Sequence, residues 1–352
     1  MSNKRKYSNK RKYSNKRNYS NKRKYSNNID YPYYKNQINK TKLKNDFDKL
    51  KKYKPIIYKK NNIIIFVESY NKNKYLYLIT DYYSEKCRVK CIYNSKKMKK
   101  KISPYDYFMK NKSRILSTIN KNNNNITYKE LNEDIREYIW NNHKQCTNFN
   151  TTIVVSLLKL FKPKIFLDPS AGWGDRLIGA IAYGKCNYIG IDPSNCMKLV
   201  YNKIIKDLSP HRSSSSKSHS NYQVIQSGFE TVNLSKYYNK VDFIFTSPPF
   251  FNLEIYENSQ TQSIEKFNSI QKWKEGFLFP MIDKCEKCLI NGGYFAIYIS
   301  DYTNYYYIDD MKKYIKEKKK SLMRINSIYW ITSDSNKKNK REIFIWIKND
   351  KK

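Results

Sequence analysis

The chain has 352 residues and carries 69 Lys+Arg against 30 Asp+Glu, a formal net charge of +39. That length holds one large domain plus a smaller one, and a field of that sign favours polyanions, nucleic acid first and an anionic membrane surface second. No apolar run approaches the roughly 20 residues that span a bilayer, and the opening MSNKRKYSNK lacks the apolar core of a signal peptide. The seven cysteines are scattered and odd in number, which speaks against a disulfide framework and for a reducing, intracellular setting. Lys, Asn, Tyr and Ile are abundant throughout, as an A+T-rich coding sequence would also produce without selection for binding.

Residues 2–25 are four copies of a hexapeptide, SNKRKY, SNKRKY, SNKRNY and SNKRKY. Residues 1–28 hold eleven basic residues and no acidic one. Self-repulsion and the lack of aliphatic side chains predict a disordered basic arm over 1–30. Such an arm can neutralise phosphates and stack its tyrosines on bases, serve nuclear import, or be a neutral repeat expansion.

Residues 31–125 read as a small α+β domain. NIIIFVES, KYLYLIT and CRVKCIY are its expected strands, with turns at Asn71 to Lys74 and Tyr83 to Lys86. Two helices follow, near Pro104–Ile119 and Tyr128–Asn142. In the latter, Leu131, Ile135 and Ile139 recur every four residues on one face.

Over 126–352 the pattern becomes alternating strand and helix. TTIVVSLLKLF is apolar enough for a buried helix. KIFLD, NYIGID, YQVIQ, VDFIFT and YFAIYIS read as five strands, apolar throughout as parallel strands buried on both faces are. SPHRSSSSKSHS at 209–220 reads as a mobile insertion. INSIYWIT and REIFIWIK flank the polar turn SDSNKKNK and predict a C-terminal β-hairpin. Cys285 and Cys288 form a CxxC pair without knuckle-like Gly or Pro context, and sit in an amphipathic helical stretch. They read as ordinary helix cysteines, and no metal is expected.

Two stretches carry chemistry. FLDPSAGWGDR, Phe166 to Arg176, is a strand running into a glycine turn, where backbone can approach a ligand closely. Asp168 ends the strand, Gly172 and Gly174 permit the turn, and Leu177 stands where a dinucleotide fingerprint needs its third glycine. Asp192, ending the next strand in IGIDPS, is suited to accept hydrogen bonds from two ribose hydroxyls, or else to cap a helix. DFIFTSPPF, Asp242 to Phe250, is a buried strand ending in a polar-Pro-Pro-aromatic tetrapeptide.

In this order, the two stretches resemble the class I S-adenosylmethionine-dependent methyltransferases that modify exocyclic amino groups, chiefly of DNA bases. The resemblance covers roughly Cys146 to Asp350. It implies an α/β, Rossmann-like, seven-stranded mixed sheet closed by the C-terminal hairpin. It implies S-adenosylmethionine held at its methionine end by Asp168, Pro169, Gly172 and Gly174, and at its ribose by Asp192. Ile191 and Pro193 would flank the adenine, with Ser227, Gly228 and Phe229 beyond it. Thr147, in CTNFN, sits where the family often contacts the methionine moiety.

An exocyclic amine is a poor nucleophile, because its lone pair is delocalised into the ring. Ser247 can offer a hydroxyl oxygen and Pro248 a carbonyl to its hydrogens. Pro249 stiffens the loop, and Phe250 can stack on the base. The base must be extruded from a duplex or be unpaired already. In the resembling enzymes Ser at the first position goes with cytosine more often, and Asp or Asn with adenine, so cytosine is slightly favoured.

Asn252, Glu254 and Tyr256 follow in a stretch that is a lid, a base-contacting loop or simply solvated. No large target-recognition insert fits, so recognition falls to residues 31–125, the basic arm or the 251–275 loop. DPSAGWGDRL followed by SPPFFNLEIY is also similar to methyltransferases of phages and large DNA viruses. That implies a viral source, with the protein in host cytoplasm, nucleus or virion. The expected partner is nucleic acid, DNA ahead of RNA, with no membrane. RNA base methylation, protein glutamine methylation and non-catalytic nucleic-acid binding on a decayed scaffold are the competing readings. The +39 charge disfavours the second and the intact motifs the third.

Overall fold

A computed structural model describes residues 29–60, 63–94, 101–122, 127–210, 221–256, 261–302, 305–325, 327–332 and 340–349. The basic arm over 1–28, and all but two residues of the 209–220 insertion, lie outside the described residues. In chain order the elements begin with α1 (Lys40–Lys51), β1 (Ile56–Lys60), β2 (Ile63–Glu68), α2 (Tyr70–Arg88), β3 (Ile92–Tyr93), α3 (Pro104–Asn122) and α4 (Tyr128–Asn142). Then come α5 (Thr151–Phe161), β4 (Ile165–Asp168), α6 (Asp175–Tyr183), β5 (Asn187–Asp192), α7 (Asn195–Leu208), β6 (Tyr222–Gln226) and β7 (Val241–Thr246). The chain continues through β8 (Glu254–Ile255), α8 (Ser263–Lys266), α9 (Ile270–Trp273), α10 (Phe279–Cys288) and β9 (Leu289–Ile297). It ends with α11 (Ile308–Lys318), β10 (Leu322–Arg324), β11 (Ile328–Thr332) and β12 (Arg341–Lys348).

The main sheet runs β1-β2-β11-β12-β9-β7-β4-β5-β6, with β10 paired to β12, ten strands in all. The expected seven-stranded sheet is its centre. Strands β6, β5, β4, β7 and β9 are mutually parallel, and β12 joins β9 antiparallel and β11 in the predicted hairpin. Side chains alternate between two cores. Phe243 and Phe245 of β7 face α5, α6 and α7, while Ile244 between them faces α10 and α11. Helix α4 starts on a capping box in which the Thr127 hydroxyl accepts from the Glu130 N–H. It buries Leu131, Ile135 and Ile139 completely, as their spacing predicts.

The N-terminal segment departs from the expectation at three points. KYLYLIT is not a strand but part of α2, which also absorbs both expected turns. Alternating Tyr and Leu imitates a strand, yet Leu76, Ile79, Tyr83 and Cys87 recur at helical spacing and are buried together against α1 and α5. Ser69 caps the helix by accepting from the Lys72 N–H. Of CRVKCIY only Ile92–Tyr93 is a strand, paired with β8. Strands β1 and β2 do not form a sheet of their own, because β2 lies parallel to β11 and prolongs the main sheet.

Cys87 and Cys196 are joined by a disulfide, with Cα atoms 6.0 Å apart, where free thiols were expected. The odd count hid one pair 109 residues apart in sequence and adjacent only after α2 packs on α7. Cys285 and Cys288 are buried in α10 as free thiols. No helix among the described residues is long and apolar enough to cross a membrane.

Candidate active site

The carboxyl edge of the parallel strands opens into a cavity of about 1450 Å³. Ordinary small-molecule sites take roughly 300–1,000 Å³, so there is room for two reactants side by side. Of the residues singled out from the sequence, Thr147, Pro169, Gly172, Asp192, Pro193, Gly228, Phe229 and Ser247 to Phe250 line it. Asp168, Gly174 and Ser227 are not in its wall; they stand behind it.

Asp168 is fully buried and turned into the protein. Its Oδ2 accepts from Arg176 Nε and from the Tyr188 hydroxyl, both at 2.8 Å, and its Oδ1 from the Ser170 N–H at 3.2 Å. It therefore fixes the shape of the glycine turn. Gly174 begins α6 with φ +88°, and a side chain there would put its Cβ 2.8 Å from Ile204 Cδ1. Glycine is required on both counts. Gly172, at φ +58°, donates its N–H to Asp192 Oδ2 at 2.8 Å. Asp192 Oδ1 accepts from the Ser194 N–H at 2.9 Å, while Ser194 itself occupies the N-cap of α7. Asp192 thus ties the two turns together and still presents its carboxylate to the cavity. Burial pushes its pKa up to about 6. Ser227 donates its N–H to the Asp192 carbonyl, holding Gly228 and Phe229 against the cavity.

One acid escaped the sequence reading. Asp175, the second residue after Trp173, is buried, and burial pushes its pKa up to about 7. Its Oδ2 accepts from the Phe149 N–H at 3.2 Å, and its Oδ1 has no partner among the described residues. It lies in the cavity wall. The only signal was an acid immediately after a glycine turn, which reads equally well as a favourable first-turn residue.

Thr147 and its neighbours are held from the N-terminal segment. Arg88 of α2 donates to the Cys146 carbonyl at 2.9 Å and pairs with Asp81 at 2.7 Å. Asp81 in turn accepts from Asn148 Nδ2 at 2.7 Å.

Ser247 lines the cavity, and its hydroxyl bonds to no other described residue. After Phe250 the chain turns sharply. Phe251 adopts φ +51°, a left-handed conformation that costs a non-glycine residue about 1–2 kcal/mol. Its ring is wedged against Tyr305, 4.8 Å between centroids, and Trp273, 6.0 Å, which over-determine the turn. The following stretch is not a solvated loop. Glu254 and Ile255 form β8, and the Asn94 N–H donates to the Leu253 carbonyl at 2.7 Å. Glu254 lines the cavity and accepts from the Tyr256 hydroxyl at 2.8 Å, and burial pushes its pKa up. Among the described residues no group of three or more His, Cys, Asp or Glu is arranged to hold a metal.

No family model and no curated protein sequence matches the chain. Solved structures do. The chain is similar to TrmN from Thermus thermophilus, at 13% identity over 56% of this chain and 48% of that one, TM-score 0.37. It is similar to an rRNA methylase from Streptococcus thermophilus, at 14% identity over 57% and 98%, TM-score 0.35. A third is 1,6-didemethyltoxoflavin-N1-methyltransferase from Burkholderia thailandensis with bound S-adenosylhomocysteine, at 8% identity over 72% and 93%, TM-score 0.37.

Proposed function

We propose that the protein transfers a methyl group from S-adenosylmethionine to the exocyclic amino group of a nucleic-acid base, DNA ahead of RNA and cytosine ahead of adenine. The observation that carries this is one cavity joining two kinds of wall. At one end are the glycine turn and Asp192; at the other are Ser247, whose hydroxyl bonds to no other described residue, and Phe250. Bound S-adenosylmethionine supplies a methyl group on a sulfonium, electrophilic without further activation.

The residues fit that group. Asp192 can accept from two ribose hydroxyls, and Pro193 and Phe229 offer apolar faces to an adenine. Asp175, buried in the same wall beside the Thr80 hydroxyl, would add negative charge toward the methionine ammonium. At the other end the Ser247 hydroxyl and the Pro248 carbonyl are acceptors for the two amine hydrogens. Drawing on both hydrogens localises the lone pair on nitrogen and turns it toward the methyl. The strained turn at Phe251 and the paired β3–β8 strands fix those acceptors before substrate arrives, so catalysis is mainly positioning. Phe250 packs edge-on to Tyr298, 5.9 Å between centroids, and leaves a face for the base.

The test is incubation with radiolabelled methyl donor and separate DNA, RNA and protein pools, followed by mass spectrometry of the nucleosides. Label in an N4-methylcytosine or N6-methyladenine nucleoside is the expected result. Label confined to protein, or no transfer at all, overturns the reading.

A further inference from the structure

We propose that the C-terminal hairpin, together with Tyr298 at the end of β9, is the nucleotide-holding element: Tyr298 and Trp330 wall the chamber that receives the base, and Arg341 grips a phosphate of the same strand. This rests on the nucleic-acid reading above and names the residues that would carry acceptor recognition. Strand β11 runs parallel to β9, so Trp330 and Thr332 arrive at the same carboxyl edge as the SPPF loop. The antiparallel register sets Arg341, the first residue of β12, beside Trp330. Trp330, Tyr298 and Arg341 all line the cavity.

The rings form a continuous wall. Tyr298 stands 4.7 Å from Trp330, and Phe149, from the segment next to the cofactor end, stands 5.2 Å from Trp330. The guanidinium of Arg341 lies 5.6 Å from the centre of the Trp330 ring.

In a chain of net charge +39 an exposed arginine by itself means little. Three features set this one apart. It forms no ion pair with any described residue, whereas Arg88, Arg136, Arg176 and Arg324 all do, and Arg114, which also forms none, is not in the cavity wall. It is placed over an aromatic ring, which orders the planar guanidinium and leaves its donor edges for a bidentate oxyanion. Beneath it the Trp330 indole N–H is buried, and no described residue supplies its acceptor. Phosphate geometry suits the guanidinium, and a base edge suits the indole N–H. A single-stranded or extruded nucleotide presents both.

The experiment measures binding of a short single-stranded oligonucleotide and of a duplex of the same sequence, without methyl donor, across a salt series. Arg341→Ala should weaken single-strand affinity about tenfold and reduce the slope of log affinity against log salt by about 0.7 per phosphate lost. Cofactor affinity by calorimetry should stay within twofold of the parent. Arg341→Lys should keep the slope and recover only part of the affinity. Trp330→Phe should leave the slope unchanged and lower affinity severalfold. If the parent binds the oligonucleotide and Arg341→Ala binds it with the same slope and affinity, the chamber assignment is overturned while the methyltransferase reading stands. If the parent binds neither strand form, the nucleic-acid reading fails and the chamber with it.

Discussion

The two halves of the sheet edge are built from different materials. The proposed cofactor half, at the ends of β4, β5 and β6, is made of glycines and buried acids bonded to backbone N–H groups. Gly172 to Asp192, Ser194 to Asp192 and Ser170 to Asp168 are its stitches. The proposed acceptor half, beyond β7, β9, β11 and β12, is made of ring against ring, with Phe149, Tyr298 and Trp330 in mutual contact, Phe250 against Tyr298 and a cation over Trp330. Hydrogen bonds fix atom positions and charge, which a constant ligand needs. Stacked rings fix shape and tolerate variation, which suits an acceptor approached as a planar base. The contrast predicts that damage to one half spares the binding function of the other.

The largest effect is expected where the N-terminal segment is fastened to the cofactor half. The Cys87–Cys196 bridge closes a loop of sequence separation 109, and chain entropy gives a loop of that size about 4.7 kcal/mol. Cys196→Ser should therefore lower stability by about 4 kcal/mol in a urea titration. Denatured but unreduced parent should titrate five thiols; seven would remove the bridge from the account.

Next is Asp192→Ala. Cofactor affinity should fall by about 1.5–3 kcal/mol, the worth of a charge-assisted hydrogen bond, with oligonucleotide affinity unchanged. Because the Asp192 pKa is raised to about 6, the carboxylate is the accepting form above that pH. Affinity should then weaken as pH falls through about 6, and Asp192→Asn should lack that inflection. A pH profile identical in parent and Asp192→Asn would detach the inflection from this residue.

Phe250→Ala probes the other half. Loss of a base–aromatic stack should weaken acceptor binding by about 1–3 kcal/mol with cofactor binding retained. Ser247→Ala should appear in turnover, with the melting temperature little changed. If both variants methylate as the parent does, the tetrapeptide does not meet the amine.

The smallest effect is at the support of the glycine turn. Gly174→Ala must adopt φ +88° and crowd Ile204, so about 1–2 kcal/mol of stability should go. Cofactor affinity should fall with it, and an unchanged melting temperature would show that the turn is slack.

The same contrast explains what could be read from the sequence. Most of the cofactor half lies in two short windows, 166–176 and 187–194, where strand, turn and acid are neighbours in the chain, and local pattern suffices. Even there, the inward orientation of Asp168 follows from Arg176 and Tyr188, whose approach no spacing rule announces. The acceptor half draws on positions 149, 250, 298, 330 and 341; only Phe250 stood in a motif read for the acceptor, and Phe149 stood in CTNFN, read for the cofactor. Tyr298, Trp330 and Arg341 are aromatics or a cation in strands already explained as core or as surface. Helix α2 was misread because its tyrosines alternate, and the pairing of β2 with β11 is invisible to periodicity, which says that a strand exists and not what it lies beside.

That last pairing has a consequence for how the molecule is made. Strand β2 needs β11 as its inner neighbour, and Ile64 is opposite Ile328. At ~5–20 residues per second, synthesis of the intervening chain occupies on the order of ten seconds to a minute. During that interval the IIIFV run of β2 has only β1 beside it, and β12, the other strand to which β11 will attach, is itself unfinished. The sheet is therefore completed from its C-terminal side, and the first strands to leave the ribosome are among the last to be seated. A nascent chain stalled before β11 would expose an apolar strand edge of the kind that recruits other chains.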